Sequence, residues 1–177
     1  MSEFKDELYL FQKEIANFHL PRWEELPSIE LYRDQVVIFI EDTLKPILPN
    51  DEKIITPAMI NNYVKLKLIP SPNKKRYTKV HLAYLIVITL FKSVFSLQDI
   101  KYAISAQIDY SGEKEAYNLF CSEQELALNQ VLDYALGNHV NAQMLEDRSF
   151  APLRFASLSL SNRFIVQRVI AVIKNNL

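Results

Sequence analysis

A chain of 177 residues holds one fair-sized hydrophobic core, or a small head with an appendage, and hardly two large independent domains. With 49% hydrophobic and 23% charged residues it is too apolar to be disordered, and 20 Lys and Arg against 21 Asp and Glu leave almost no overall charge. Cys121 is the only cysteine and Gly112 and Gly137 the only glycines, which excludes an intrachain disulfide, a thiolate metal cluster and the glycine-rich phosphate loops of the common nucleotide enzymes.

Scarce glycine with abundant Leu, Ile, Lys and Glu predicts a mainly α protein. Phe4, Leu8, Phe11, Ile15 and Phe18 recur at helical spacing and predict an N-terminal docking helix over residues 1–22. The opening is acidic and lacks the basic start and apolar block of an export signal, so a cytoplasmic location is expected. Pro21 and Pro27 then break the helix, with Trp23 between them set to plug the linker onto the core. Residues 31–45 read as a second helix with Val36, Val37, Ile40 and Leu44 inward and Arg33, Asp34, Glu41 and Asp42 in water, closed by Pro46 and Pro49.

Thr56 followed by Pro57 is a strong helix start, because the hydroxyl accepts from an orphan backbone N–H and proline needs no donor there. That helix is expected to run from 57 to about 66. Pro70, Pro72 and Asn73 forbid continuation and predict an extended loop or β-ribbon before Thr78 caps a helix from Val80 to Phe95. The longest apolar run, 82–91, is ten residues long, about half of what a membrane span requires, so it reads as core and no membrane is expected as partner. Ser96 with Asp99 opens a further helix to about Ala106, Ser122 with Glu125 another, and residues 162–177 a last one with Ile165, Val169, Val172 and Ile173 on one side.

Charge is not spread evenly along these elements. Residues 53–92 hold eight Lys or Arg and no acid, so that window carries +8 and the rest of the chain −9. A surface that only needs to be soluble interleaves the signs, so this segregation reads as a footprint for a polyanion, unless acids elsewhere in the fold neutralise it. As architecture the window is two helices, a basic proline-rich hairpin and a helix, which is a winged helix-turn-helix.

The segment from Ile60 to Ile100 resembles the head of MerR-type transcription regulators, with Tyr63 at the central tyrosine of the recognition helix and Leu68, Ile69 and Pro70 at the turn. Lys75 and Tyr77 stand at the wing's Arg-x-Tyr, Leu82 and Leu85 on the apolar helix, and Phe95, Ser96, Leu97 and Ile100 at the closing motif. "LPSIELYRDQVVIFIE" with "MINNYVK" resembles more closely a bacterial group, domain of unknown function family 1836, regarded as MerR-like DNA-binding proteins; the likeness spans roughly residues 23–105. It departs from MerR relatives at Lys67, where they have Gly, at Asn61, where they have Arg, and in lacking their long coiled coil and metal-binding cysteines. Promoter untwisting and metal sensing are therefore not implied.

The resemblance implies a MerR-like winged helix-turn-helix domain over 23–106, flanked by the N-terminal helix and by a C-terminal helical bundle, 107–177, for dimerisation or effector binding. The expected function is a sequence-specific DNA-binding transcriptional regulator, with helix 57–66 in the major groove and wing 70–77 on the backbone. A protein–protein adaptor using the same basic face is the alternative. Asn61 and Asn62 are poor helix formers suited to bidentate adenine contacts, or else to a turn or a buried backbone group. Lys65 and Lys67 suit phosphates or simply a helix C-terminus, and Lys74, Lys75 and Arg76 extend the cationic surface along the wing. Thr56 offers its hydroxyl and a helix N-terminus to phosphate; Tyr63, by resemblance, donates its hydroxyl to phosphate, or packs in the core. The expected partners are double-stranded DNA, a second copy of the chain in a homodimer and a small-molecule effector, against which Phe150, Phe155 and Phe164 either line a pocket or pack. No cofactor and no metal site is expected: His19, His81 and His139 lack metal-ligand spacing, and no nucleophile–base arrangement marks an enzyme.

Overall fold

The computed structural model describes residues 2–48, 53–138 and 151–175, apart from the side chains of residues 2–4, 172 and 175. Pro49, His139 and Phe150, and the side chains of Phe4 and Val172, lie outside the described residues. The protein is mainly helical: seven helices among the described residues and one two-stranded sheet, in the order α1 (Ser2–Glu14), β1 (Leu31–Tyr32), α2 (Arg33–Leu44), α3 (Pro57–Lys65), β2 (Arg76–Tyr77), α4 (Lys79–Phe91), α5 (Leu97–Ser111), α6 (Glu113–Leu136) and α7 (Ala151–Asn175). None of these helices is long and apolar enough to cross a membrane. The chain divides into two compact units, one of residues 20–121 and one assembled from residues 1–19 and 122–177.

The unit of residues 20–121 is built around α4. Leu82, Leu85, Ile86, Ile88 and Leu90 are fully buried, so the apolar run is core, as its composition predicts. Val36, Ile40 and Leu44 of α2 and Ile60 and Tyr63 of α3 add the inward stripes of two amphipathic helices, while Arg33, Asp34 and Asp42 face water. Trp23 does anchor the linker: its backbone N–H donates to Asn118 Oδ1 at 2.8 Å, and its ring meets Tyr117 edge-on at 6.4 Å between centroids. Phe91 packs edge-on against both Phe95 and Phe120.

Several boundaries differ from the sequence expectation: α1 ends at Glu14, α4 stops at Phe91 rather than Phe95, α7 begins at Ala151 rather than near residue 162, and three more differ as follows. Leu31 and Tyr32 are not helical but form β1, antiparallel to β2 with Leu31 opposite Tyr77 and Tyr32 opposite Arg76. The helix opened by Ser96, whose Oγ accepts from the Asp99 N–H at 3.1 Å, continues past Ala106 to Ser111 and stops at Gly112, where φ is +84°. The next helix starts at Glu113, which places Ser122 and Glu125 inside α6 rather than at a helix start.

In the other unit α1 buries Leu8 and Phe11, Ile15 is buried just beyond its end, and α7 lies against α1. Arg168 of α7 fixes that pairing, with Nη1 3.2 Å from Glu7 Oε1, Nη2 2.6 Å from Glu14 Oε2 and the guanidinium 4.5 Å from the centre of the Phe11 ring. Between α6 and α7 runs a polar seam. Arg154 Nη1 pairs with Glu123 Oε2 at 3.1 Å, both side chains nearly inaccessible, and Gln124 Nε2 donates to Ser161 Oγ at 3.0 Å. Phe164 is buried and Phe155 is exposed, so the two do not share a pocket; Ile165 is buried but Ile173 is exposed.

Candidate nucleic-acid interface

The site begins at the start of α3. Thr56 takes an extended conformation and its Oγ1 accepts from the Met59 N–H at 3.2 Å, with Pro57 in the first turn. From there Ala58, Asn61, Asn62 and Lys65 recur at the spacing of one helical face, and all four are exposed, while Ile60 and Tyr63 are buried. Among the described residues neither asparagine bonds to buried backbone. Tyr63 is only 3% exposed and burial raises its hydroxyl pKa, so its ring belongs to the core behind the face rather than to the face itself.

The helix ends on a lysine in an unusual conformation. Leu66 is the last right-handed residue and Lys67 follows with φ +55°. The Leu68 N–H reaches back to Tyr63 O at 2.9 Å and the Lys67 N–H to Val64 O at 3.0 Å, the double bond of a Schellman cap. A left-handed residue, for which Gly is the unstrained choice, is needed there, and Lys67 takes it at a cost of about 1 kcal/mol. Leu68 and Ile69 then turn inward and are buried.

The wing has the same peculiarity twice. Lys74 and Lys75 have φ of +45° and +63°, and the Arg76 N–H donates to Asn73 O at 2.8 Å. Two successive left-handed residues inside a hydrogen-bonded four-residue turn make a type I′ hairpin, for which Asn-Gly is the usual choice. Here it raises two exposed lysines at the tip. Among the described residues, the only non-glycine positions with positive φ are Lys67, Lys74 and Lys75.

The root of the wing is tied down on both sides. Arg76 stacks on Tyr32 across the sheet, its guanidinium 3.8 Å from the ring centre. On the far side His81 Nδ1 accepts from the Thr78 N–H at 3.0 Å and lies 2.9 Å from Thr78 Oγ1, while its ring meets Tyr77 edge-on. Burial holds the His81 pKa below the ordinary imidazole value, against smaller opposite pulls from the Pro70 and Ser71 backbone and Glu30. Burial also raises the Tyr77 hydroxyl, with the nearby Arg33 charge acting the other way.

Sequence reasoning missed Arg33 as part of this surface. It follows Tyr32 directly and its Nη1 donates to Asn61 Oδ1 at 3.2 Å, so Arg76, Tyr32, Arg33 and Asn61 form an unbroken line from the wing to α3. Nothing local signals this, because Arg33 sits beside acids on a helix start and meets Asn61 only through the packing of α2 on α3. Two cations of the basic window turn the other way: Lys79 Nζ donates to Trp23 O at 3.2 Å and Lys92 Nζ to Ile54 O at 2.7 Å. Among the described residues no carboxylate pairs with Arg33, Lys65, Lys67, Lys74, Lys75 or Arg76. Neutralisation by acids elsewhere in the fold is thus not seen there. Thr56 is half-buried with its oxygen engaged in the cap, at the opposite end of α3 from Lys65.

Residues 21–120 match the family model described as Domain of unknown function (DUF1836). No curated protein and no solved structure matches the chain. The matched segment covers more than half of the sequence and nearly the whole unit of residues 20–121, and the chain accordingly belongs to the DUF1836 family.

Proposed function

We propose that this chain is a sequence-specific DNA-binding transcriptional regulator whose residues 23–106 work as a MerR-like winged helix-turn-helix. In this reading α3 lies in the major groove with Asn62 against base edges, and the 70–77 wing rests on the adjacent backbone. Lys65, Lys67, Lys74, Lys75 and Arg76 hold phosphates. Residues 107–177 supply the pairing or effector region, because one such unit spans too few base pairs and a homodimer on two half-sites repairs that.

The observation that carries the reading is a cationic surface with no ion-paired carboxylate among the described residues: an exposed helix face with two asparagines, continuous through Arg33 and Tyr32 with a lysine-tipped hairpin. Strain supports it. Lysine has no local reason to occupy left-handed backbone at three positions, at about 1 kcal/mol each, and strain of this kind gathers where a side chain is needed for contact.

The test is binding to duplex DNA as a function of salt, followed by selection from random duplexes. Neutralising about five phosphates per protomer gives a slope near −4.5 in log affinity against log salt. A slope near zero overturns the proposal. Salt-sensitive binding with no enriched sequence favours the adaptor reading instead, with the basic face turned to an acidic protein.

A further inference from the structure

We infer that Arg33 and Asn61 together form a composite reader of guanine in the major groove; the inference rests on the DNA-binding reading above. Arg33 is the first residue of α2, outside the basic window and outside α3, so neither the charge pattern nor the helix assignment points to it. What does is the single bond from its Nη1 to Asn61 Oδ1 at 3.2 Å.

Arginine carries donors only, so the atom of the Asn61 amide that faces it must be the oxygen. That fixes the side chain's orientation: Oδ1 is held by the guanidinium and Nδ2 is turned away from it. A free asparagine matches adenine by accepting from N6 and donating to N7. With its oxygen beside the Arg33 guanidinium, Asn61 keeps one lone pair there but is surrounded by donors, which shifts the balance of the pair toward donation. Arg33 is exposed, and among the described residues Asn61 is the sole hydrogen-bond partner of its guanidinium, which leaves further N–H groups open. The pair therefore offers mainly donors, the open guanidinium N–H groups and Asn61 Nδ2, beside one remaining lone pair on Oδ1. Of the four bases, guanine has the major-groove edge that answers with two neighbouring acceptors, N7 and O6, whereas adenine would set its own N6 donor against them.

Position separates this from a backbone contact. Asn61 lies within the exposed face of α3, flanked by Ala58, Asn62 and Lys65, and not at the lysine-bearing end of the helix or the hairpin tip. It follows that the adenine-type contact expected of two asparagines falls to Asn62 alone, and that the preferred site contains a guanine next to the base Asn62 reads.

The experiment compares the full chain with Arg33→Lys, which keeps the charge but loses the planar fork, in selection from random duplexes and in titrations of the enriched site. Circular dichroism verifies that the variant is folded. The wild type should enrich a guanine whose replacement by 7-deazaguanine, lacking the N7 acceptor, weakens binding about tenfold or more. Arg33→Lys should lose the same factor on the enriched site, lose less than about twofold on unrelated duplex, and be insensitive to 7-deazaguanine. An equal loss on both duplexes makes Arg33 a phosphate contact and overturns the inference while leaving DNA binding intact. A variant that keeps its sensitivity to 7-deazaguanine also overturns it. Absence of any salt-dependent duplex binding by the wild type removes the DNA-binding reading, and this inference with it.

Discussion

Arg76 and Tyr32 face one another across the two-stranded sheet, and the guanidinium carbon lies over the ring, 3.8 Å from its centre. Each strand is two residues long, too short to be stable by its backbone bonds alone, so this stack is a main fastening of the wing. At an exposed site such a contact contributes about 0.5–1 kcal/mol. Tyr32→Phe, which keeps the ring face, should leave urea stability unchanged, and Tyr32→Ala should lower it by about that amount. Equal losses for both variants would assign the effect to the hydroxyl instead.

Lys67 gives a prediction in which stability and binding move in opposite directions. Glycine at the left-handed position of the helix cap removes the Cβ penalty of about 1–2 kcal/mol and adds back part of it as chain entropy in the unfolded state. Lys67→Gly should therefore raise unfolding free energy by about 0.5–1 kcal/mol, while lowering duplex affinity and flattening the salt slope by roughly one unit. A gain in stability with no change in the salt dependence would take Lys67 out of the phosphate contacts.

His81 fills the place that Glu or Gln takes in a capping box, and it titrates where those do not. Its folded pKa is held below the ordinary value of 6.5 by burial. Between the two values the unfolded chain takes up a proton that the folded chain refuses, so stability should be level above about pH 7, fall as pH drops through 6.5 and level again below the folded value. His81→Gln keeps an acceptor for the Thr78 N–H and should remove most of that acid loss. Thermal melts of both proteins between pH 5 and 8 check it; parallel curves would assign the loss to other groups.

In the other unit, Glu123 and Arg154 are 6% and 7% exposed, so each depends on its partner. Deleting one leaves a buried charge, and Glu123→Ala should destabilise by about 3–5 kcal/mol. The double variant Glu123→Leu with Arg154→Met removes both charges at similar volume and should recover most of the loss. Denaturant titration of the two variants side by side measures the difference.

The elements that the sequence states plainly are those fixed by local chemistry. Thr56-Pro57 sets the start of α3 and Ser96 that of α5, since each hydroxyl caps within three residues of itself, and the apolar run at 82–91 is core because burial on all sides leaves no polar stripe. The errors came from the same kind of signal used out of context. Ser122 and Glu125 have capping-box spacing but lie inside α6, where that spacing is simply one helical turn; the true break is Gly112, one of only two glycines. Leu31 and Tyr32 become a strand through pairing with Arg76 and Tyr77, distant in the chain, and the left-handed lysines defy the usual preference of those turns for Asn and Gly. Of the proposed surface, Asn61, Asn62 and the lysines were legible from composition and helical phase. Arg33 was not, since its place depends on how α2 packs on α3.

Cys121 Sγ lies 3.9 Å from the carbonyl oxygen of Pro21, so the unit of residues 20–121 enters and leaves at one spot. A segment with adjoining ends can be excised, or grafted into a loop of another protein, without stretching the chain on either side. The family match falls on this cassette and stops at its borders. Residues 20–121 can accordingly be cut out as one piece whose two new ends lie side by side.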